Sequence, residues 1–530
     1  MNAMKSLTVL SLTAILAVSC TGRGLDPAGG DPSESLPGHD MIVLGRQLDD
    51  PYSVDNMSLA LANVYPTKAG RVVLPPTHYY VRFRPANQKQ YDRLEFLGVE
   101  MLDHPMDYEI VREGDWYHDP AIPEGEITWQ YATVPKDFVF PRDIPYEVLE
   151  SCYIPDAEPL LSKGGPDDVD WAAVEREAFR LTGNGSLLEE PGTKGGSSGT
   201  PAGRITIVDE CKGGAVEGVR GVRVACNCFV KTGRAFTDAD GRYQMTTSFS
   251  SKPRYRLVFK NSTGFAIGFN LVLVPASLSS LGKGEPTGLD AKVTKDSDRR
   301  LFTRCVVNNA GYDYFKRCSA ESPAIKTPPG NLRIWLLHGF RSSCAPMLQQ
   351  GVLVDGSKLA DLLGDFTVLV KLFLPDVLLG VKDHDSYASI YADAVHEFAH
   401  ASHYMLAGKS YWNDYVRFII TSFLSSGFVT YGVGTEENHG HCEVGEMWAY
   451  FLQTLLYRER YGDTDVPAFG LNFWFYPQIF LQLEDRGLSS NRIFQVLGPD
   501  VTDRETLQKK LISYYPDYKN AINQAFARYN

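Results

Sequence analysis

The spacing of apolar and polar positions changes three times along this chain. Between residues 40 and 155, short apolar runs alternate with Pro and Gly. His78 to Phe83 has strand character, Asn87 to Leu97 has helical spacing, and Asp107 to Val111 again looks like a strand. Residues 167–182 put Trp171, Val174, Ala178 and Leu181 on one helical face, with Asp167 or Asp168 available as N-cap. Residues 39–187 therefore predict a small α+β domain. Residues 188–203 are dominated by Gly and Ser, cannot anchor a core, and read as a linker.

From residue 204 to about 280 the pattern is β-rich. Arg204 to Val208 and Val222 to Cys226 predict strands. Thr237-Asp238-Ala239-Asp240-Gly241-Arg242-Tyr243 predicts a tight hairpin turn, with Gly241 supplying the positive φ. This segment resembles the carboxypeptidase regulatory-like β-sandwich, in which a T-D-x-D-G-x-Y/F hairpin recurs. Asp238 and Asp240 are read as turn residues and not as a calcium site, because the other ligands of a calcium loop are missing. From about residue 300, helical periods and aromatic residues dominate. Helices are expected near Pro477 to Leu483, Asn491 to Leu497 and Asp503 to Tyr514.

Composition narrows the classes. The chain has 530 residues, 44% hydrophobic and 22% charged, which excludes wholesale disorder. Its formal net charge of −12 argues against a nucleic-acid partner, since phosphate neutralisation needs clustered Lys and Arg. Lys5 followed by the apolar run Leu7 to Val18 reads as a signal peptide over residues 1–19. Leu16-Ala17-Val18-Ser19-Cys20 resembles a bacterial lipobox, which implies lipidation at Cys20 and attachment to the cell envelope, at the outer membrane. Residues 20–38, rich in Gly, Pro, Ser and Asp, would be the tether. Residues 367–381 come nearest to a further membrane span, but Lys371, Pro375 and Asp376 interrupt them. Eight cysteines remain after Cys20, an even number that permits disulfides in an exported chain. Cys305 with Cys318, and Cys211 with Cys226 or Cys228, are near enough in sequence to pair.

The sharpest chemical signal is His396-Glu397-Phe398-Ala399-His400. Residues four apart on a helix share a face, so both imidazoles can meet one zinc ion with Glu397 beside its water. With 11 His in the chain, this pattern arises by chance with a probability on the order of one in a hundred. Asp385 or Ser386 can cap the helix, Gly408 can stop it, and Ile390, Ala394, Val395, Phe398 and Ala401 make it apolar enough to be buried. Catalytic zinc takes three protein ligands and leaves one position open. His403 is hard to bring to the same ion on one continuous helix, so it is read as supporting or incidental. The third ligand is sought in His441-Cys442-Glu443-Val444-Gly445-Glu446-Met447-Trp448-Ala449, where Glu443 and Glu446 lie three apart on one helical face.

Residues 385–460 resemble the gluzincin-type zinc metallopeptidases, HExxH followed by a distant helix bearing Glu. Their Gly/Asn-Glu-x-x-Ala context matches Gly445-Glu446-Met447-Trp448-Ala449 and favours Glu446 over Glu443. Tyr450 stands where the family commonly has an acidic residue. The resemblance implies a zincin-like, mainly α catalytic domain over 300–530, a multidomain α+β protein overall, and hydrolysis of a peptide or protein with Glu397 as general base. Tyr431, Tyr450, His439 and His441 are candidates for the second oxyanion donor. Two other readings compete: a non-catalytic surface binding protein on a zincin scaffold, and a zinc hydrolase acting on something other than protein.

Overall fold

A strip of short antiparallel strands near the N-terminus gives way to two central sheets and then to helices. A computed structural model describes residues 41–66, 74–123, 126–155, 169–188, 198–268, 278–338, 341–352, 374–425 and 431–529. The signal segment, Cys20 and the tether lie outside the described residues, as do 189–197 of the expected linker and 367–373 of the apolar run 367–381. The chain is a mixed α/β, multidomain protein with several sheets and a helical C-terminal region. Among the described residues no helix is long and apolar enough to cross a membrane.

In the N-terminal region His78–Phe83 is the middle strand of a three-stranded antiparallel sheet, between Gln130–Pro135 and Tyr146–Cys152. Val81 and Phe83 are buried, as period-two alternation requires, and pack with Leu94 of the helix Gln88–Phe96. Asn87 caps that helix by accepting from the Gln90 N–H. The helix Trp171–Leu181 starts one turn element later than expected. Its cap is Asp170, which accepts from the Ala173 N–H, and not Asp167 or Asp168, which lie outside the described residues. Val174, Ala178 and Phe179 form its buried face.

The central strands build two sheets. Ala202–Asp209 lies in a four-stranded sheet with Ala215–Gly218, Arg242–Gln244 and Ala291–Val293. Val222–Cys228, Lys231–Phe236 and Arg254–Asn261 lie in a seven-stranded sheet. The turn at Thr237–Gly241 is therefore not a hairpin. Lys231–Phe236 pairs within the larger sheet and Arg242–Gln244 pairs with the smaller one, so the turn carries the chain between sheets. Its local chemistry is as expected. Gly241 has φ +79°, and Asp238 Oδ1 accepts from the N–H groups of Asp240 and Arg242, which commits that carboxylate to the turn.

The larger sheet continues into the C-terminal region. Ala266–Gly268 pairs in parallel with Arg333–Leu337, which pairs in parallel with Val377–Gly380 at the sheet's end. A single antiparallel bridge from Cys344 to Leu378 covers that end strand. Residues 204–280 and 300–530 thus share a sheet as well as one hydrophobic core. Arg460 adds a polar tie, its Nη2 lying 2.8 Å from both Asp209 Oδ2 and Glu217 Oε2. No disulfide joins the eight cysteines. Cys305 and Cys318 sit on one helix, Arg299–Ala320, and a rise of 1.5 Å per residue puts them about 20 Å apart along its axis.

Candidate metal centre

Two helices build the site. Tyr387–Ser425 carries His396, Glu397 and His400, and Gly408 (φ +84°) interrupts it, as its place after the apolar run suggested. Ser386 caps the start, its Oγ accepting from the Ser389 N–H at 3.2 Å. Ile390, Ala394, Val395, Phe398 and Ala401 are buried and hold this helix in the core. The second helix, His439–Tyr461, carries Glu446. The Trp448 indole donates to the Ala399 carbonyl at 3.2 Å and pins one helix to the other. Gly445 leaves room for Tyr415: a Cβ there would come within 3.2 Å of that ring.

This packing brings His396, His400 and Glu446 to one point, with ligand atoms within 4.8 Å of one another and all three side chains buried. The two imidazole Nε2 atoms are 3.1 Å apart. His396 Nε2 lies 3.4 Å from Glu446 Oε2, and His400 Nε2 lies 3.4 Å from Glu446 Oε1. Ligands about 2.1 Å from a tetrahedral ion are separated by about 3.4 Å, so these spacings match a zinc-sized polyhedron with a corner left over. The group can hold a metal ion.

The charge state fits a cation as well. Burial pushes the Glu446 carboxyl upward, but the His400 and His396 imidazoles outweigh it and hold the group at about 2. Burial depresses His400 in spite of Glu446. An ionised carboxylate and a neutral imidazole are the forms that ligate metal. Glu446 also accepts hydrogen bonds from Tyr415 (2.6 Å, on Oε1) and Tyr431 (3.2 Å, on Oε2), which fix its plane.

His396 is oriented by a relay absent from the sequence expectations. Its Nδ1 lies 3.2 Å from Gln453 Oε1; Gln453 Nε2 donates to Asp393 Oδ1 at 3.0 Å; Asp393 Oδ2 lies 2.7 Å from His384 Nε2. Because Asp393 takes the amide NH2, the amide oxygen faces the ring, the proton belongs on Nδ1, and the Nε2 lone pair points at the shared site. Tyr450, standing where the resemblance leads one to expect an acid, packs its ring 4.3 Å from that of His396. Spacing alone held a faint signal: Asp393 is one helical turn before His396 and Gln453 two turns after Glu446.

The remaining candidates go elsewhere. Glu443 lies 3.4 Å from Arg504 Nε and is not part of the group. His403 is buried between Tyr411 and Trp412, and burial lowers its pKa to about 3. His441 packs 4.5 Å from the Tyr411 ring, and His439 Nδ1 meets the Glu436 carbonyl at 2.7 Å. Glu397 is buried and reaches, together with His396, Tyr450, Gln453 and His384, a cleft of about 580 Å³. Comparison of the chain with protein-family models, with curated proteins and with solved structures gave no match.

Proposed function

We propose that this chain is a zinc-dependent peptidase of the HExxH-plus-Glu type, with a zincin-like catalytic region. His396, His400 and Glu446 hold the ion and Glu397 is the general base. One observation carries the reading: two imidazoles and a carboxylate converge at ligand spacing, and the Glu between the two His reaches the adjoining cleft. Two nitrogens and one oxygen with a free corner is a donor set that suits zinc.

A bound zinc ion supplies Lewis acidity and an acidified water. Glu397 takes the proton of the attacking water and delivers it to the leaving amine. Tyr450 also borders the cleft, and burial keeps its hydroxyl protonated far beyond neutral pH; that hydroxyl lies 3.3 Å from the Tyr431 hydroxyl, and turning from it toward the developing oxyanion would make it the donor. Tyr431 is less suited to that task because its hydroxyl is committed to Glu446. The Gln453–Asp393 relay does the orienting that an acidic residue at position 450 would do.

The substrate is a peptide or protein. We further propose export and lipid anchoring through Cys20, which places the site in the cell envelope. Cys20→Ala then shifts the protein from the membrane fraction to the soluble one.

The decisive test pairs metal analysis with peptide-library cleavage. About one zinc per chain and chelator-sensitive hydrolysis are expected, and Glu397→Gln should keep the zinc and lower turnover by about 10²–10⁴-fold. A zinc-loaded protein with no cleavage would favour a binding scaffold. Cleavage of non-peptide esters alone would reassign the substrate.

A further inference from the structure

A second cavity, of about 350 Å³, is lined by none of the residues of the metal centre. It lies between the 91–103 segment of the N-terminal region and the face of the larger sheet formed by Val222–Cys228, Lys231–Phe236 and Arg254–Asn261. Met101, Val258 and Leu278 give it an apolar wall. Arg256 reaches it from the middle of the sheet and is only 6% exposed.

Arg256 uses one nitrogen. Its Nη1 donates to Asn227 Oδ1 at 2.7 Å, whereas Nε and Nη2 have no hydrogen-bond partner among the described residues. These two N–H groups form the side edge of the guanidinium, whose spacing matches the two oxygens of a carboxylate. The neighbouring acids are already engaged. Glu100 takes Arg234 at 2.5 Å and Arg223 at 3.5 Å, Glu95 pairs with Lys260, and Asp103 holds His104 and the Tyr117 N–H. Four cations (Arg223, Arg234, Arg256, Lys260) stand against three anions (Glu95, Glu100, Asp103) around the cavity, one positive charge in excess. A buried guanidinium with two unpaired donors is unfavourable unless an anion or water meets it.

We propose that this cavity binds a small organic monocarboxylate with an apolar body, its carboxylate chelated by Nε and Nη2 of Arg256. The single excess charge favours a monoanion over a phosphate dianion, and the apolar wall favours a hydrocarbon or aromatic body over an inorganic ion. The same chemistry comes from a free acid or from the C-terminal residue of a peptide.

Isothermal titration calorimetry of the full chain separates these sources, with phenylacetate as the free acid and N-acetylphenylalanine as the chain end. N-acetylphenylalanine amide and inorganic phosphate are the controls. At least one acid should bind, the amide about tenfold or more weaker, since it lacks a charge-assisted pair. Arg256→Gln should weaken the acid by a similar factor while circular dichroism and zinc content stay unchanged. Chelator-treated protein should bind the acid as well as metal-loaded protein does, whether or not the peptidase reading holds. Equal binding of acid and amide, no binding of either acid at millimolar concentration, phosphate binding alone, or loss of the signal on chelation overturns the proposal. Should Arg256→Gln fail to fold, the acid-against-amide comparison on the unmodified chain decides by itself.

Discussion

Two buried polar clusters in this molecule look alike by composition and differ in what they leave undone. Lys231, 1% exposed, sits 2.6 Å from Glu175, and the same carboxylate accepts from the Ser250 hydroxyl. Here a cation meets an anion, donors meet acceptors, and the group fastens the helix Trp171–Leu181 to the larger sheet. At His396, His400 and Glu446 the atoms that converge are all lone-pair donors around one carboxylate charge. With the imidazoles in the neutral form that ligates metal, nothing within that triad supplies a positive centre. A closed cluster is explained by the fold it holds together; an open one asks for something from outside.

The largest effect expected from breaking this contrast is at the closed cluster. Lys231→Met leaves Glu175 buried without its cation and should cost about 3–5 kcal/mol, read by denaturant unfolding. Adding Glu175→Leu should recover most of the loss, because an apolar pair of similar volume carries no desolvation penalty. If the double variant is as unstable as the single one, the pair is not self-contained and the contrast fails.

At the open cluster the stability effect should depend on metal. With free zinc at about a hundredfold over Kd, the unmodified protein should gain about 2.7 kcal/mol relative to chelated protein. Glu446→Ala should show no such difference. A Tm that ignores zinc in the unmodified chain would remove the grounds for the metal reading. A smaller effect is expected one contact away. Gln453→Leu deprives His396 Nδ1 of its acceptor and should weaken zinc about 10–100-fold, measured by competition with a chromophoric chelator.

How much of this was legible follows from how local each feature is. HExxH is a property of one helical turn, so His396, Glu397 and His400 stand out without any knowledge of the fold. Glu446 was favoured by its immediate neighbours, Gly445 and Ala449. The Gln453–Asp393 relay joins residues on two helices and has no motif, and only the packing of those helices reveals it. The Thr237–Gly241 turn shows the same limit. Its positive φ is local and readable, but which sheet receives the next strand is decided by pairing with Arg204, dozens of residues away. The suggested pairing of Cys305 with Cys318 failed because nearness in sequence was taken for nearness in space, while the helical period of that segment argued the opposite.

The smallest predicted effect is the most discriminating between the two downstream acids. Glu443 and Glu446 lie one helical turn apart, and sequence spacing alone admits either as the third ligand. In the fold Glu443 faces Arg504, and burial raises its pKa against the pull of that guanidinium, whereas Glu446 is held low by imidazoles. Glu443→Gln therefore exchanges one partly buried ion pair for a neutral hydrogen bond and should cost no more than about 1 kcal/mol. Zinc affinity should stay within about twofold of the unmodified protein, since no ligand atom is touched. Comparable loss of zinc from Glu443→Gln and Glu446→Gln would mean that the ion sits between both acids, and the ligand set would have to be redrawn around four residues.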